Sequence, residues 1–492
     1  MSACCAGSSA GCNKGFAADY MLLDPAKLSV MDLYHILFSS DIENRHSVDS
    51  SAAREDDINR RWIIFISMVA QKILQLVSKP LSKFGSGIEY WINLVSSNGS
   101  LLKLVINFVR EKMVRPDKSS ATFLSFTGSM DTRVDLDETI RSEDGRYHPA
   151  LAMMAAKAAY ENKAYLETIV KDRWKMDFLG SFDFWNDYQG KFTTQAFLLH
   201  DKRSDPDVVV VSFRGTETFD ADAWCSDFDI SWYAIPGMGN IHGGFMKALG
   251  LVKSHGWPKE VEDGGPPLAY YEIRKMLREI LRKNEKTQII ITGHSLGGAL
   301  AILFPSVLAL HEEDSMLDRL SAIYTFGQPR VGDENFGTYM EKIFEKHDIQ
   351  YFRFVYNYDI VPRLPYDDAS LMFKHFGTCI FFDSNYEAKI VEEEPNKNYF
   401  SPRYFIPKTI SSCWELARSF IIHYMKGPAY AEGSLCRFFR VVGLMVIGVP
   451  NHMPQDYVNS TRLAAPHIFP LCRKEILQSK NGSSTRLVKK DD

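Results

Sequence analysis

The sequence predicts an α/β fold with a mainly parallel central sheet, and three observations carry that prediction. Short apolar runs rich in β-branched or aromatic residues and bounded by turn residues recur at 208–213, 288–292, 322–326 and 351–355. Runs of this length without alternation suit strands buried on both faces. Stretches with helical spacing separate some of them, at 271–281 (YEIRKMLREIL) and 333–346. Strand, helix, strand in repeated order favours a parallel sheet with covering helices.

At 492 residues, the chain exceeds one ordinary core, so a catalytic domain with a substantial extra region is expected. The apolar composition changes along the chain at about residues 140 and 385. The expected division is an N-terminal region over 1–140 and a catalytic domain over 141–492, with an insertion at about 384–445. A formal net charge of −4 gives no reason to expect a nucleic-acid partner. The eight cysteines show no zinc-type spacing. The opening MSACCAGSSAGCNKGF lacks the apolar core of a secretory signal, so free thiols, a cytosolic side and no secretion are expected. Acylation of Cys4 or Cys5 is a further reading. Glu392 to Glu394, followed by Pro395, read as a solvated loop.

Within QIIITGHSLGGAL, Gly293-x-Ser295-x-Gly297 follows a strand and precedes a helical run. A strained strand-to-helix turn needs almost no side chain at its flanks, so the glycines let Ser295 stand exposed at the strand's carboxyl end as a nucleophile. This arrangement is that of the α/β-hydrolase elbow. His294, beside it, is expected to point elsewhere.

GHSLGG, together with VSFRGTE at 211–217, resembles the class-three, fungal-type lipase family. The resemblance implies an oxyanion hole built from Thr216 and the backbone N–H of Leu296, and a catalytic order of Ser, Asp, His. The acid then falls after the strand at 351–355, where NYDIVPRLP is similar to the family's stretch and offers Asp359. Asp367, Asp368 and Asp383 are nearby rivals. Four histidines follow: His375, His423, His452 and His467. His452, in PNHMPQDY on a loop before a helix, is the preferred general base, with His375 as the alternative.

With these parts His452 takes the Ser295 proton, Ser295 attacks an ester carbonyl, the hole holds the oxyanion and water completes deacylation. The chemistry requires no cofactor and no metal. The long N-terminal region, FGQPRVGD at 326–333, IHGGF at 241–245 and NHMPQDYVNSTRL further resemble plant oil-body triacylglycerol lipases, which implies a triacylglycerol or other acyl-lipid substrate. A phospholipase A1 or galactolipase is the alternative enzyme, and a non-enzymatic lipase-like scaffold is the alternative outside catalysis. His242 reads as a packing residue. Residues 224–233, with Trp224, Phe228, Trp232 and Tyr233, are a candidate amphipathic lid. Nothing in the sequence bears on oligomeric state.

Residues 62–81 are strongly apolar, but Ser67, Gln71, Gln75 and Ser78 recur at helical spacing. Residues 101–109 repeat the arrangement. A spanning helix needs about 20 predominantly apolar residues, which neither stretch supplies without interruption. Both suit helices lying in an interface. Flanking Lys79, Lys83, Arg110, Lys112 and Arg115 would add attraction to anionic headgroups. The expected location is a lipid droplet or the cytosolic face of a membrane.

Overall fold

The apolar runs become the centre of an eight-stranded sheet in the computed structural model, which describes residues 16–38, 44–45, 47–50, 58–253, 255–262, 264–365, 373–399, 401–466 and 468–469. The acylation reading at Cys4 and Cys5, the rivals Asp367 and Asp368, and His467 lie outside the described residues. In chain order the strands are β1 (Asp19–Leu23), β2 (Asn44–Arg45), β3 (Val48–Ser50), β4 (Asp177–Asn186), β5 (Lys191–Asp201), β6 (Val208–Phe213) and β7 (Trp232–Ile235). They continue with β8 (Gly239–His242), β9 (Gln288–His294), β10 (Leu320–Phe326), β11 (Gln350–Tyr356), β12 (Thr378–Phe382) and β13 (Ala388–Val391).

The main sheet has the order β13-β12-β11-β10-β9-β6-β5-β4. Its centre, from β6 through β9, β10 and β11 to β12, is parallel, and its edges are antiparallel. This is the expected α/β-hydrolase architecture. Val209, Val211, Phe213, Ile289 and Ile291 pack to one side, with the helices Ala269–Lys283 and Leu296–Leu310. Val208, Val210 and Ile290 pack to the other, with the helix Tyr147–Ala158. Two-sided burial is why these strands read as unbroken apolar runs, and each wholly buried side chain contributes roughly 1.5–3 kcal/mol. In register, Phe213 stands opposite Gly293 and Phe326 opposite His294. The carboxyl ends of β6, β9 and β10 therefore lie side by side, where ligands of parallel sheets bind.

A second sheet, β2-β3-β1-β7-β8, joins strands from both sides of residue 140, with Asp19 opposite Ala234 and Met21 opposite Trp232. Above it runs the 40-residue helix Ile58–Ser97. Ile64 and Met68 of this helix share a small core with Met21, Leu23, Val48 and Trp232. Its segment Arg61–Ser97 is long enough to cross a membrane and holds an 18-residue stretch with a mean hydropathy of 1.3, more apolar than the interrupted sequence pattern suggests.

Glu394 corrects one expectation. It is 2% exposed and pairs with Arg330 at 3.5 Å and Arg353 at 3.4 Å, both buried. Two buried guanidinium groups need a nearby counter-charge, and the segment read as a solvated loop supplies it.

Candidate active site

The turn after β9 shows why its glycines are required. A side chain at Gly293 would put Cβ 2.2 Å from the Gly297 backbone, and one at Gly297 would put it 2.2 Å from the Phe213 carbonyl oxygen. Between them Ser295 adopts φ 58° and ψ −131°, a conformation that costs energy for any residue with a side chain. Its N–H donates to the Phe326 carbonyl at 2.9 Å, which fixes the elbow against the end of β10.

Asp359 follows β11 and is fully buried. Its Oδ1 accepts the Val361 N–H at 2.9 Å. Its Oδ2 accepts Nδ1–H of His452 at 2.8 Å and the hydroxyl of Tyr457 at 2.5 Å. His452 ends a single 3-10 turn, Pro450–His452, just before the helix Pro454–Leu463, so the loop-before-helix setting is observed. Its Nε2 is buried and makes no hydrogen bond among the described residues. An ionised Asp359 fixes the tautomer, since the proton on Nδ1 leaves the Nε2 lone pair open to a hydroxyl. A Cβ at Gly327, next to the end of β10, would lie 2.9 Å from both Asp359 Oδ2 and His452 Nδ1, so the acid and the base pack against that bare backbone.

The rivals sit elsewhere. Nε2 of His375 bonds the Pro362 carbonyl at 2.7 Å and lies 3.9 Å from Glu394. Burial, reinforced by Arg353, pushes its pKa well below the ordinary histidine value. Asp383 caps the turn between β12 and β13, accepting the N–H groups of Asn385 and Glu387. His423 lies on the helix Phe405–Lys426. His294 is engaged at both ring nitrogens. It receives the Tyr160 hydroxyl at Nδ1, 2.9 Å, and donates from Nε2 to the His452 carbonyl, 2.8 Å. Its ring centroid is 4.5 Å from that of His452. Burial holds its pKa well below normal, with the His452 charge adding to the effect, so a neutral ring braces the His452 loop. His242 is stacked on Phe245 and fully buried, as a packing residue should be.

Thr216 follows β6 and is 8% exposed. Its hydroxyl donates to Asp227 Oδ2 at 2.8 Å. Among the described residues neither its backbone N–H nor that of Leu296, the first residue of the helix Leu296–Leu310, meets a backbone acceptor. First-turn helical N–H groups lack intrahelical partners, so the Leu296 N–H remains available to an anion. Burial raises Asp227 to about 7, against the opposing hydrogen bond from Thr216 and the His452 charge. Sequence reasoning noted Asp227 only as part of a candidate lid. It also passed over Tyr457, although that residue lies in the quoted NHMPQDY segment, and Arg363 within DIVPRLP. Arg363, fully buried, donates to the carbonyls of Asp359, Asn357, Asn396 and Pro395, closing the acid loop.

The segment 224–233 divides in two. Its first part lies in the helix Ala221–Phe228, pinned beneath the long N-terminal helix, where Ser67 Oγ donates to the Phe228 carbonyl at 2.6 Å. Its second part enters β7, where Trp232 and Tyr233 are buried. Ser295 is 5% exposed. Among the described residues, no three His, Cys, Asp or Glu side chains are grouped to hold a metal. Cys225, Cys379, Cys413 and Cys436 are free thiols.

Residues 210–369 match the family described as lipase (class 3). A triacylglycerol lipase OBL1 of Arabidopsis thaliana is 37% identical over 501 residues, covering 93% of this chain and 97% of the relative. One of Nicotiana tabacum is 39% identical over 478 residues, covering 82% and 84%. Among solved structures, lipase II from Rhizopus niveus is 23% identical, with a TM-score of 0.38 over 53% of this chain and 90% of that one. The extent of the plant matches establishes that the chain belongs to the class 3 lipase family.

Proposed function

We propose that the chain is a triacylglycerol lipase in which Ser295 is the nucleophile, His452 the general base and Asp359 the residue that orients and stabilises the imidazole. The observation that carries this reading is the 2.8 Å hydrogen bond from His452 Nδ1 to the buried Asp359, with Nε2 left unbonded. In the reaction Nε2 accepts the Ser295 Oγ proton as Oγ attacks the ester carbonyl. The backbone N–H groups of Thr216 and Leu296 receive the oxyanion, and each such donor is typically worth about 10²–10³-fold in rate. His452 then protonates the departing glycerol oxygen, and activated water releases the fatty acid.

The proposed site of action is a lipid-droplet or membrane surface, reached through the region 1–140, with 141–492 as the catalytic domain and 384–445 inserted in it. The supporting observation is that the long N-terminal helix leaves an apolar face uncovered. Its polar residues Ser67 and Gln71 are buried at 4% and 3% exposure, while Trp62, Ile66, Ile73, Leu76, Phe84 and Trp91 are all more than half exposed. Water gives no reason to expose such a face, and a lipid interface does. That Ser67 and Gln71 of the polar stripe turn toward protein while Gln75 stays exposed favours lying in the interface over crossing it. Hydrolysis of triolein, a phosphatidylcholine and a galactolipid, each emulsified alike, tests the substrate. Fastest fatty-acid release from triolein is expected. A galactolipid or phospholipid preference would replace the reading with the corresponding polar-lipid hydrolase.

A further inference from the structure

We infer that Glu415, on the inserted helix Phe405–Lys426, is a positioning residue that ties the loop carrying the acid to the loop carrying the base. This inference rests on the catalytic reading above and adds a residue to it. Its carboxylate Oε1 accepts Nδ2–H of Asn357 at 2.7 Å, Nδ2–H of Asn451 at 2.7 Å and the hydroxyl of Tyr356 at 2.9 Å. Asn357 stands two residues before Asp359, and Asn451 immediately before His452. One oxygen therefore joins the two loops on the side away from the hydrogen bonds that His452 and Tyr457 make to Asp359.

The surroundings make this contact rigid. Glu415 is 3% exposed, and Asn357 and Asn451 are buried. Asn357 has φ 40°, a left-handed conformation unusual for a residue with a side chain, and its amide also reaches Ser411 Oγ at 2.7 Å. On the other carboxylate oxygen, Arg440 of the helix Ser434–Gly443 lies at 3.8 Å. Arg440 also pairs with Glu432 at 2.6 Å and with Asp456 at 2.9 Å. Arg418 reaches the same Asp456 at 3.1 Å, at the start of the helix that follows His452. Both inserted helices thus grip the base-bearing segment; Arg418 also donates to the Tyr356 hydroxyl at 2.9 Å, and Glu415 bonds the residues nearest to both the acid and the base. Buried carboxylates of this kind are costly unless fully bonded. Three donors converging on one oxygen meet that requirement: two lie on the loops that carry the acid and the base, and the third, Tyr356, ends β11 just before the acid loop. Displacing catalytic groups by about 1 Å costs up to roughly 100-fold in rate.

The experiment compares the full-length wild type with Glu415→Gln, Glu415→Leu, Asn451→Ala and the double variant Glu415→Leu/Asn451→Ala. Rates on a soluble p-nitrophenyl ester are normalised to sites titrated with a fluorophosphonate. Glu415→Leu is expected to lower kcat by roughly 10- to 100-fold with KM changed less than about threefold. Glu415→Gln keeps a carbonyl acceptor and is expected to recover most of that loss. The double variant is expected to be no worse than the poorer single variant by more than about twofold, since both remove one unit. A role confined to holding the fold would reduce the number of titrated sites and leave kcat per site unchanged. The inference is overturned if folded Glu415→Leu keeps kcat within about twofold of wild type, or if its loss simply multiplies with that of Asn451→Ala. Should Glu415→Leu fail to fold, Asn451→Ala decides, and kcat per site within about twofold of wild type overturns the inference. A wild type that neither hydrolyses the ester nor is labelled defeats the catalytic reading itself, which is a distinct result.

Discussion

Replacing Ile66, Ile73 and Leu76 together by serine tests the outward apolar face of the long helix without touching its contacts with the catalytic domain. These side chains are 60%, 53% and 72% exposed. Full transfer of such a side chain from water to an apolar phase is worth roughly 1.5–3 kcal/mol. If the exposed share is what enters lipid, the three together contribute roughly 3–5 kcal/mol, or about 10²–10³-fold or more in partitioning. The assay is flotation of the full chain with triolein droplets at several lipid concentrations, alongside turnover of a soluble ester. The variant is expected to shift from the floating to the soluble fraction while keeping its soluble-ester kcat. Ser67→Ala, on the inward face, removes the hydrogen bond to Phe228 and is expected to lower Tm by a few degrees, at about 1 kcal/mol per bond, with flotation unchanged. If the triple variant floats as well as wild type, the outward face is not the lipid-contacting surface and the docking argument fails.

Other expectations follow from the site. Tyr457→Phe removes one of two hydrogen bonds to Asp359 Oδ2, and kcat should fall about 10-fold, the equivalent of about 1.4 kcal/mol; an unchanged kcat in steady-state assays would show that the bond orients nothing. Asp227 has a folded pKa of about 7, above its ordinary 3.8, because it is buried. Its contribution to stability is therefore fully present below about pH 4 and is lost as pH rises toward 7. Asp227→Asn lacks this loss, so its Tm relative to wild type should climb between pH 4 and pH 7, with roughly 4 kcal/mol as the upper bound; a parallel pair of Tm profiles would contradict it. His375→Ala should lose stability, measured by denaturant midpoint, because the Pro362 carbonyl loses its hydrogen-bond donor and a buried cavity is left, while kcat per folded molecule stays near wild type.

Much of the sheet was legible because its central strands are buried on both faces. The expected strands at 208–213 and 351–355 agree with β6 and β11 to within a residue at either end, and the elbow is legible because only glycine fits the close approaches at positions 293 and 297. Polarity alone misled at Glu394, whose partners Arg330 and Arg353 stand 64 and 41 residues away; local composition does not register such long-range compensation. The polar stripe of the long helix was visible at helical spacing, but periodicity does not say which face meets the protein. The structure turns Ser67 inward, toward the Phe228 carbonyl. Glu415 and Asn451 were illegible as a pair for the same reason as Glu394, since their contact spans 36 residues and neither residue carries a motif of its own.

The most direct test of the central claim is the site and rate of covalent labelling by a fluorophosphonate, read by peptide mass spectrometry on the full chain. The account predicts a single adduct on Ser295, none on Ser295→Ala, labelling slowed by at least about 10³-fold in His452→Ala, and near-wild-type labelling in His375→Ala. An adduct on another serine, or rapid labelling of Ser295 in folded His452→Ala, would contradict it.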